Sequence, residues 1–330
     1  MNAIHNAPAM HDVTTDMLRA WPLPMPGEDS DKEARGHVLV LGGSREMPGA
    51  VILAATAALR AGAGKLTIAT GASVAQLVAL AMPEARVIGL AETEAGGFQR
   101  EAIARLDPLA DRVSAVLIGP GMQDEAAAAA LVHGLLERLQ GSDTAVVLDA
   151  CAMGTLLHAP PGWDPDKCYR FEQPVIVTPH CGEMAHLTGI AKPEIVSGPD
   201  ARALASAAEW NAVVALKGAR TVIASPNGEL WQHEGGNAGL GVSGSGDTLA
   251  GIITGLAARG ATLEQAACWG VALHARAGER LAERMGILGY LAREIPNEIP
   301  ALLESVAGTQ AGDARTIRLT PGETVGRESV

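Results

Sequence analysis

The sequence predicts an α/β fold around a mostly parallel sheet, and three observations carry that reading. Short apolar runs with β-branched content, such as His37–Leu41, recur along the chain and end at glycine-rich turns. Helical stretches of small apolar residues follow several of those turns, so strand, turn, helix and strand form βαβ units. Such units imply parallel pairing and right-handed crossovers. Hydrophobic residues make up 48% of the 330 residues but aromatics only 3%, so alanine and glycine must fill the core and helices must pack closely on the sheet.

Residues 1–36 are punctuated by Pro22, Pro24 and Gly27 and read as an N-terminal arm with a short helix near Thr15–Trp21. Lys32 in this arm is within conceivable reach of a phosphate, although an arm without catalytic use is the simpler expectation. His37–Leu41 is a strand ending in Gly42-Gly43-Ser44. The run from Ala50 to Gly64 is a helix stopped by glycines, and Leu66–Ala69 is the next strand. Further strands are expected at Arg86–Leu90, Val113–Ile118, Ala145–Leu148, Val175–Val177 and Val213–Leu216, with helices at Asp124–Leu139 and Asp200–Asn211. Pro226-Asn227-Gly228 is read as the turn of a hairpin between Thr221–Ala224 and Glu229–Gln232. Thr262 and Gln265 have the spacing of a capping box opening a long helix to about Met285. The domain is taken as 37–305, followed by a loosely held tail at 306–330.

Gly121, Asp149 and His180 each stand just past a separate strand, and ligands of parallel sheets bind beyond the carboxyl ends of strands. His180 read alone is as well explained by a structural hydrogen bond. Lys217 also follows a strand and sits beside Gly218, which suits a phosphate contact or a solvated lysine.

The formal net charge is −12, which argues against a non-specific nucleic-acid or anionic-membrane surface. Few aromatics also argue against base-stacking platforms. Cys151, Cys168, Cys181 and Cys268 show neither CxxC pairing nor metal-ligand spacing and read as reduced cytosolic thiols. No basic region precedes an apolar run at the N-terminus, and the longest apolar run, Ala50–Leu59, is too short to cross a bilayer. A soluble cytoplasmic protein is expected.

The stretch Gly236–Gly260 concentrates the chemistry. Its first half is built almost entirely from small residues, and its second half places Leu249, Ile252, Ile253 and Leu256 on one helical face. A helix starting near Asp247 has first-turn amides without intrahelical partners, which together with the helix dipole seat an anion. Asp247 reads either as a helix cap or as a general base beside a phosphate cradle. The glycine pattern is neither a Walker A loop nor GxGxxG, so by itself it fixes no ligand.

Taken together, GGSREMPGA (Gly42–Ala50), IGPGM (Ile118–Met122), VLDA (Val147–Ala150), TPHCGE (Thr178–Glu183), LKGART (Leu216–Thr221) and GNAGLGVSGSGDTLAGI (Gly236–Ile252) resemble the NAD(P)H-hydrate dehydratase family of the ribokinase superfamily. The pieces occur in the family's order. The resemblance implies a ribokinase-like three-layer sandwich. It implies repair of the S-epimer of hydrated NADH or NADPH with ADP or ATP as co-substrate and Mg²⁺. The ring hydroxyl would be phosphorylated and phosphate then eliminated. Carried over by position, Asp247 takes the hydroxyl proton, and amides of Gly244, Ser245 and Gly246 hold the transferring phosphate. Lys217, Gly218, Ala219, Arg220, Thr221 and Gly246 contact the adenine nucleotide. Ala50, Gly121, His180 and Asp247 contact the hydrated dinucleotide. No motif fixes metal ligands. The resemblance also implies a homo-oligomer, with a tetramer as one form, and an epimerase on a separate protein. Cys151 stands where the family often has a second acid, and Cys181 and Ala238 where it usually has proline. The two cysteines are expected either to line the floor of the site, making thiol reagents inhibitory, or to be neutral replacements. Two other readings share the cradle: a small-molecule kinase of the same superfamily, acting on a vitamin-precursor alcohol, and a non-catalytic nucleotide-binding regulatory module.

Overall fold

The structure is a computed structural model that describes residues 9–25, 27, 31–164 and 168–307. In chain order its elements begin with β1 (Met10–Asp12), α1 (Thr15–Ala20), β2 (His37–Leu41), α2 (Gly49–Arg60), β3 (Lys65–Gly71), α3 (Ala75–Ala81) and β4 (Arg86–Leu90). After a 3₁₀ segment at Arg100–Leu109 come β5 (Ala115–Ile118), α4 (Glu125–Leu139) and β6 (Ala145–Leu148). A second 3₁₀ segment, Ala150–Leu156, leads to β7 (Val175–Val177), α5 (Cys181–Thr188), α6 (Lys192–Ser197) and α7 (Pro199–Trp210). The chain continues through β8 (Ala212–Leu216), β9 (Arg220–Ala224), β10 (Leu230–Glu234), α8 (Ser245–Ala258), α9 (Leu263–Met285) and α10 (Ile295–Ala307).

Among the described residues one ten-stranded sheet runs in the order β1-β10-β9-β8-β7-β6-β5-β2-β3-β4. Only β9 opposes the common direction, pairing antiparallel with both β8 and β10 as the expected hairpin. Strand neighbours step outward in both directions from the adjacent pair β2 and β5. That pair is therefore the topological switch point, and the crevice beyond its carboxyl ends is where a ligand belongs. Gly42–Ser44 and Gly119–Gly121 both lie there.

The strands read as continuous apolar runs because both sheet faces are covered. Val38 and Val40 face one core, which holds α2, α8, α9 and α10, while Leu39 and Leu41 face the other, which holds α4, α5 and α7. The scarcity of aromatics shows in the seam between α2 and α8. A side chain at Gly251 would strike the Ala54 carbonyl, and one at Gly255 would lie 2.5 Å from the Ala58 carbonyl oxygen. Two glycines one turn apart thus let the helices touch backbone to backbone.

Three expectations need correction. The N-terminal segment is no free arm: β1 pairs in parallel with β10, Leu18 is fully buried, and Trp21 stacks on Trp231 with ring centroids 6.1 Å apart. Lys32 lies at the far edge of the sheet, its carbonyl against Gly64 just before β3, so it cannot serve a site at the strands' carboxyl ends. Thr262 does cap α9, accepting from the Gln265 amide at 3.2 Å, but the Gln265 side chain donates to the Trp21 and Pro22 carbonyls instead of closing a box. The tail beyond Ala307 lies outside the described residues. No described helix is long and apolar enough to cross a membrane.

Candidate active site

Neighbouring parallel strands deliver the polar groups to one edge. Asp149 follows β6, Thr178 follows β7 and Lys217 follows β8, and the Lys217 amide donates to the Pro179 carbonyl at 2.8 Å, extending the β7–β8 pairing by one step. Asp149 is 2% exposed; Thr178 Oγ1 donates to its Oδ1 at 2.6 Å and Lys217 Nζ at 3.3 Å. Glu183 Oε2 lies 3.8 Å from the same ammonium. Burial opposes the Lys217 charge, but Asp149, Glu183 and more distantly Asp247 outweigh it and raise its pKa above the ordinary lysine value.

Asp247 enters from α8. The helix is capped by Gly244 at φ +89°, where a side chain would strike Leu53, so glycine is needed both for the conformation and for the contact. The Gly251–Ala54 and Gly255–Ala58 contacts fix the register of α8 on α2, and one turn earlier that register sets Asp247 level with Ala50. Burial, together with Asp149, pushes the Asp247 carboxyl up to about 7 against the opposing pull of Lys217, with Glu183 adding to the rise. Among the described residues no side chain hydrogen-bonds to this carboxylate.

The open amides of the helix start differ from those expected. The Ser245 amide donates to the Val242 carbonyl at 3.1 Å and is spent in the turn. No described carbonyl or side chain receives the amides of Gly244, Gly246 and Asp247, so the cradle is shifted one residue onward to include Asp247. Lys217 Nζ stands 3.4 Å from where a Gly246 Cβ would be, which places a cation beside those amides. Beneath them His274 Nε2 lies 3.0 Å from the Ser245 hydroxyl and 3.1 Å from its carbonyl, and burial pushes this imidazole down to about 4, leaving it neutral.

A cleft of about 700 Å³ opens on this cradle, walled by Lys217, Gly218, Ala219, Thr221, Gly246 and residues of the Gly235–Val242 loop. Arg220 is not part of it: its guanidinium bonds to Asp200 at 2.7 Å and to Gln232. Successive strand residues face opposite ways, so a cleft that Thr221 lines is one that Arg220 turns from.

His180 lines the same cleft and also caps α5. Its Nδ1 accepts from the Gly182 and Glu183 amides at 2.9 and 3.1 Å, and Glu183 Oε2 accepts from its own amide at 2.7 Å. Two amides on Nδ1 force the proton onto Nε2, which leaves the ring a donor there, 3.7 Å from Glu183 Oε2. Gly121 and Ala50 meet at the switch point: at φ +66° a Gly121 Cβ would lie 2.8 Å from Ala50 Cβ and 2.5 Å from the Met47 carbonyl. Cys151 lies apart, in a smaller cavity of about 240 Å³ with Glu125, Glu183 and His186, and burial pushes its thiol up to about 11. A thiol so held is a poor nucleophile, which at Cys151 favours the neutral replacement of the two alternatives over sensitivity to thiol reagents. The Cys181 thiol points instead to the Lys217 carbonyl at 3.8 Å.

Residues 38–301 match the profile of the family described as NAD(P)H-hydrate dehydratase. The chain belongs to that family. The ADP-dependent (S)-NAD(P)H-hydrate dehydratase of Xanthomonas campestris is 50% identical over 297 residues, which cover 90% of this chain and 97% of that protein. The bifunctional NAD(P)H-hydrate repair enzyme of Moorella thermoacetica is 39% identical, with 88% of this chain aligned to 54% of its length. Among solved structures, the ADP/ATP-dependent NAD(P)H-hydrate dehydratase of Bacillus subtilis, co-crystallized with ATP and Mg²⁺, superposes with a TM-score of 0.73. Its sequence is 30% identical, covering 92% of this chain and all of that one. The ribokinase-like fold expected from the motifs is the fold observed.

Sequence reasoning placed Asp149 at this sheet edge without naming its partner and passed over Glu183; the structure brings both to Lys217. Their signal was present, since Asp149 ends a strand and Glu183 sits three residues after the helix-capping His180. His233 and His274, which line the cleft, carried no local signal because their position depends on the packing of α9 and β10, and Asn237 was part of a motif without a role of its own.

Proposed function

We propose that this chain repairs hydrated NADH or NADPH, using ADP or ATP to phosphorylate the ring hydroxyl before expelling it as phosphate. The reading rests above all on Asp247, a carboxylate without a hydrogen-bonding side chain, set at an open helix start beside Lys217. A base of that kind is poised to take a proton from an alcohol, while the Gly246 and Asp247 amides and the lysine bear the charge of a transferring phosphoryl group.

In the first step the ring hydroxyl gives its proton to Asp247 as its oxygen bonds to the terminal phosphorus. The bond from that phosphorus to the bridging oxygen breaks, releasing AMP from ADP or ADP from ATP. In the second step the ring nitrogen pushes out phosphate, a far better leaving group than hydroxide. Loss of a ring proton then restores the dihydronicotinamide. Lys217 to Thr221 and Gly246 hold the nucleotide, with Arg220 contributing backbone only. Ala50, Gly121 and the His180 Nε2–H face the hydrate.

Among the described residues no group of three or more histidine, cysteine or acidic side chains could cage a metal ion. Mg²⁺ does not require one, because it keeps waters and binds through phosphates plus one or two carboxylates. Asp149, Glu183 and Asp247 supply such oxygens at this edge. Bound there, the ion would neutralise phosphate charge.

ADP and the S-epimer are preferred in this reading, following the Xanthomonas relative's activity. An epimerase activity would convert the other epimer to it, and the working unit is a homo-oligomer, to be measured by light scattering. The deciding experiment incubates each purified hydrate epimer with ADP or ATP and Mg²⁺ and follows the near-ultraviolet absorbance of NADH or NADPH. Recovery with the S-epimer is expected. A stable phosphorylated alcohol without recovered absorbance would instead identify a small-molecule kinase, and nucleotide binding without turnover a regulatory module.

A further inference from the structure

One buried titratable group beneath the cradle takes no part in the proton and phosphoryl transfers. His274 stands midway along α9, with Nε2 at 3.1 Å from the Ser245 carbonyl oxygen and 3.0 Å from the Ser245 hydroxyl. Burial above all, and Lys217 besides, keeps the ring neutral against the pull of the Ser245 carbonyl, so it carries a single proton. A carbonyl only accepts, and two lone pairs at that distance would repel. The proton therefore sits on Nε2 and points at Ser245.

The Ser245 carbonyl and the Gly246 amide are the two ends of one peptide group. That group is planar and trans, so its C=O and its N–H point in opposite directions. Holding the carbonyl toward α9 thus fixes the line along which the Gly246 N–H leaves the start of α8. Ser245 is flanked by Gly244 and Gly246, the residue type least able to hold a peptide plane by itself. A donor on the carbonyl also polarises the peptide and makes its N–H a stronger donor, as in any chain of hydrogen bonds.

We infer that His274 is a positioning residue for phosphoryl transfer: by donating to the Ser245 carbonyl it aims and strengthens the Gly246 N–H that meets the transferring phosphate. This rests on the phosphoryl-transfer reading of the site. The imidazole acts through the peptide group alone.

The test compares wild type with His274→Leu, His274→Asn and His274→Gln in the full chain. Two quantities are read: the single-turnover rate of AMP formation from ADP and Mg²⁺ with the S-epimer, and the equilibrium affinity for ADP. Leucine removes the donor, asparagine carries an amide one bond too short, and glutamine places an N–H close to where Nε2 stands. The rate should fall roughly 10–100-fold with leucine or asparagine, less than deleting an anion-hole donor outright can cost. ADP affinity should fall less than the rate, and glutamine should restore most of the lost rate. A folded His274→Leu protein with the wild-type rate would overturn the inference, as would a His274→Gln protein no faster than His274→Leu. A rate loss matched by an equal loss of ADP affinity would overturn it too. Wild type alone supplies a further check, because long-range ¹H–¹⁵N spectra should show the His274 proton on Nε2. A proton on Nδ1 would overturn the inference and leave the proposed function standing, provided NADH is still recovered. Wild type that forms no AMP with either epimer would overturn both readings.

Discussion

Asp247 holds a charge that its surroundings oppose. In the unfolded chain its pKa is near the ordinary 3.8, and in the native state about 7. Between roughly pH 4 and 7 the native state therefore binds more protons, and stability falls as pH rises. Asp247→Asn should be more stable than wild type by ~2 kcal/mol at pH 8 and by almost nothing at pH 4, measured by urea unfolding at both. The same variant should keep its nucleotide affinity and lose turnover by about 10²–10⁴-fold. Activity of the wild type should fall below about pH 7 as the base is protonated, read from the acid limb of kcat/KM. Lys217→Met leaves Asp149 as a buried carboxylate with only Thr178. It should cost about 3 kcal/mol in unfolding and move the acid limb upward, because Lys217 is the group that lowers the Asp247 pKa. At this scale the sequence was legible where the signal is local. Asp247 follows small residues and precedes a helical face, and Lys217 follows a strand. For Arg220 the motif gave a position but no direction, because strand parity, not motif membership, decides where a side chain points. The Ser245 amide was misread because a single turn hydrogen bond removes it from the cradle.

The element that matters most is the pair α2 and α8. Gly251 and Gly255 bring their backbones together, and that seam positions the start of α8 over the strand ends. Gly251→Ala gains helix propensity of up to about 1 kcal/mol but forces a methyl onto the Ala54 carbonyl. A net loss of about 2 kcal/mol is expected from such overpacking, measured by thermal unfolding. A fall in kcat without loss of nucleotide affinity should accompany it, since the seam sets the height of Asp247. Most strands were legible because doubly covered strands are short, apolar and bounded by glycine. The 3₁₀ segments at Arg100–Leu109 and Ala150–Leu156 were not, since neither shows a clean helical or alternating period. α5 escaped notice because its start signal is a histidine, an unusual cap.

On the scale of the whole molecule, the N-terminal segment belongs to the body. Gln232 Nε2 donates to Asp12 Oδ1 at 2.6 Å, His233 to the Val13 carbonyl, and Leu18 and Trp21 pack on the core. Deleting residues 1–24 should cost about 4 kcal/mol or more, given the burial of Val13, Leu18 and Trp21, and should appear as a lower urea midpoint. Prolines masked this segment in the sequence, where a three-residue edge strand has no period to detect.

The pairing of β1 with β10 joins residues 220 positions apart, and it joins them behind the wall of the cleft that His233 lines. A chain still emerging from the ribosome can assemble the central strands early, yet the His233 imidazole in the cleft wall has no anchor until its own strand has been made and has met the beginning of the polypeptide. The wall of the cleft is therefore completed late in synthesis, when the two distant segments first meet.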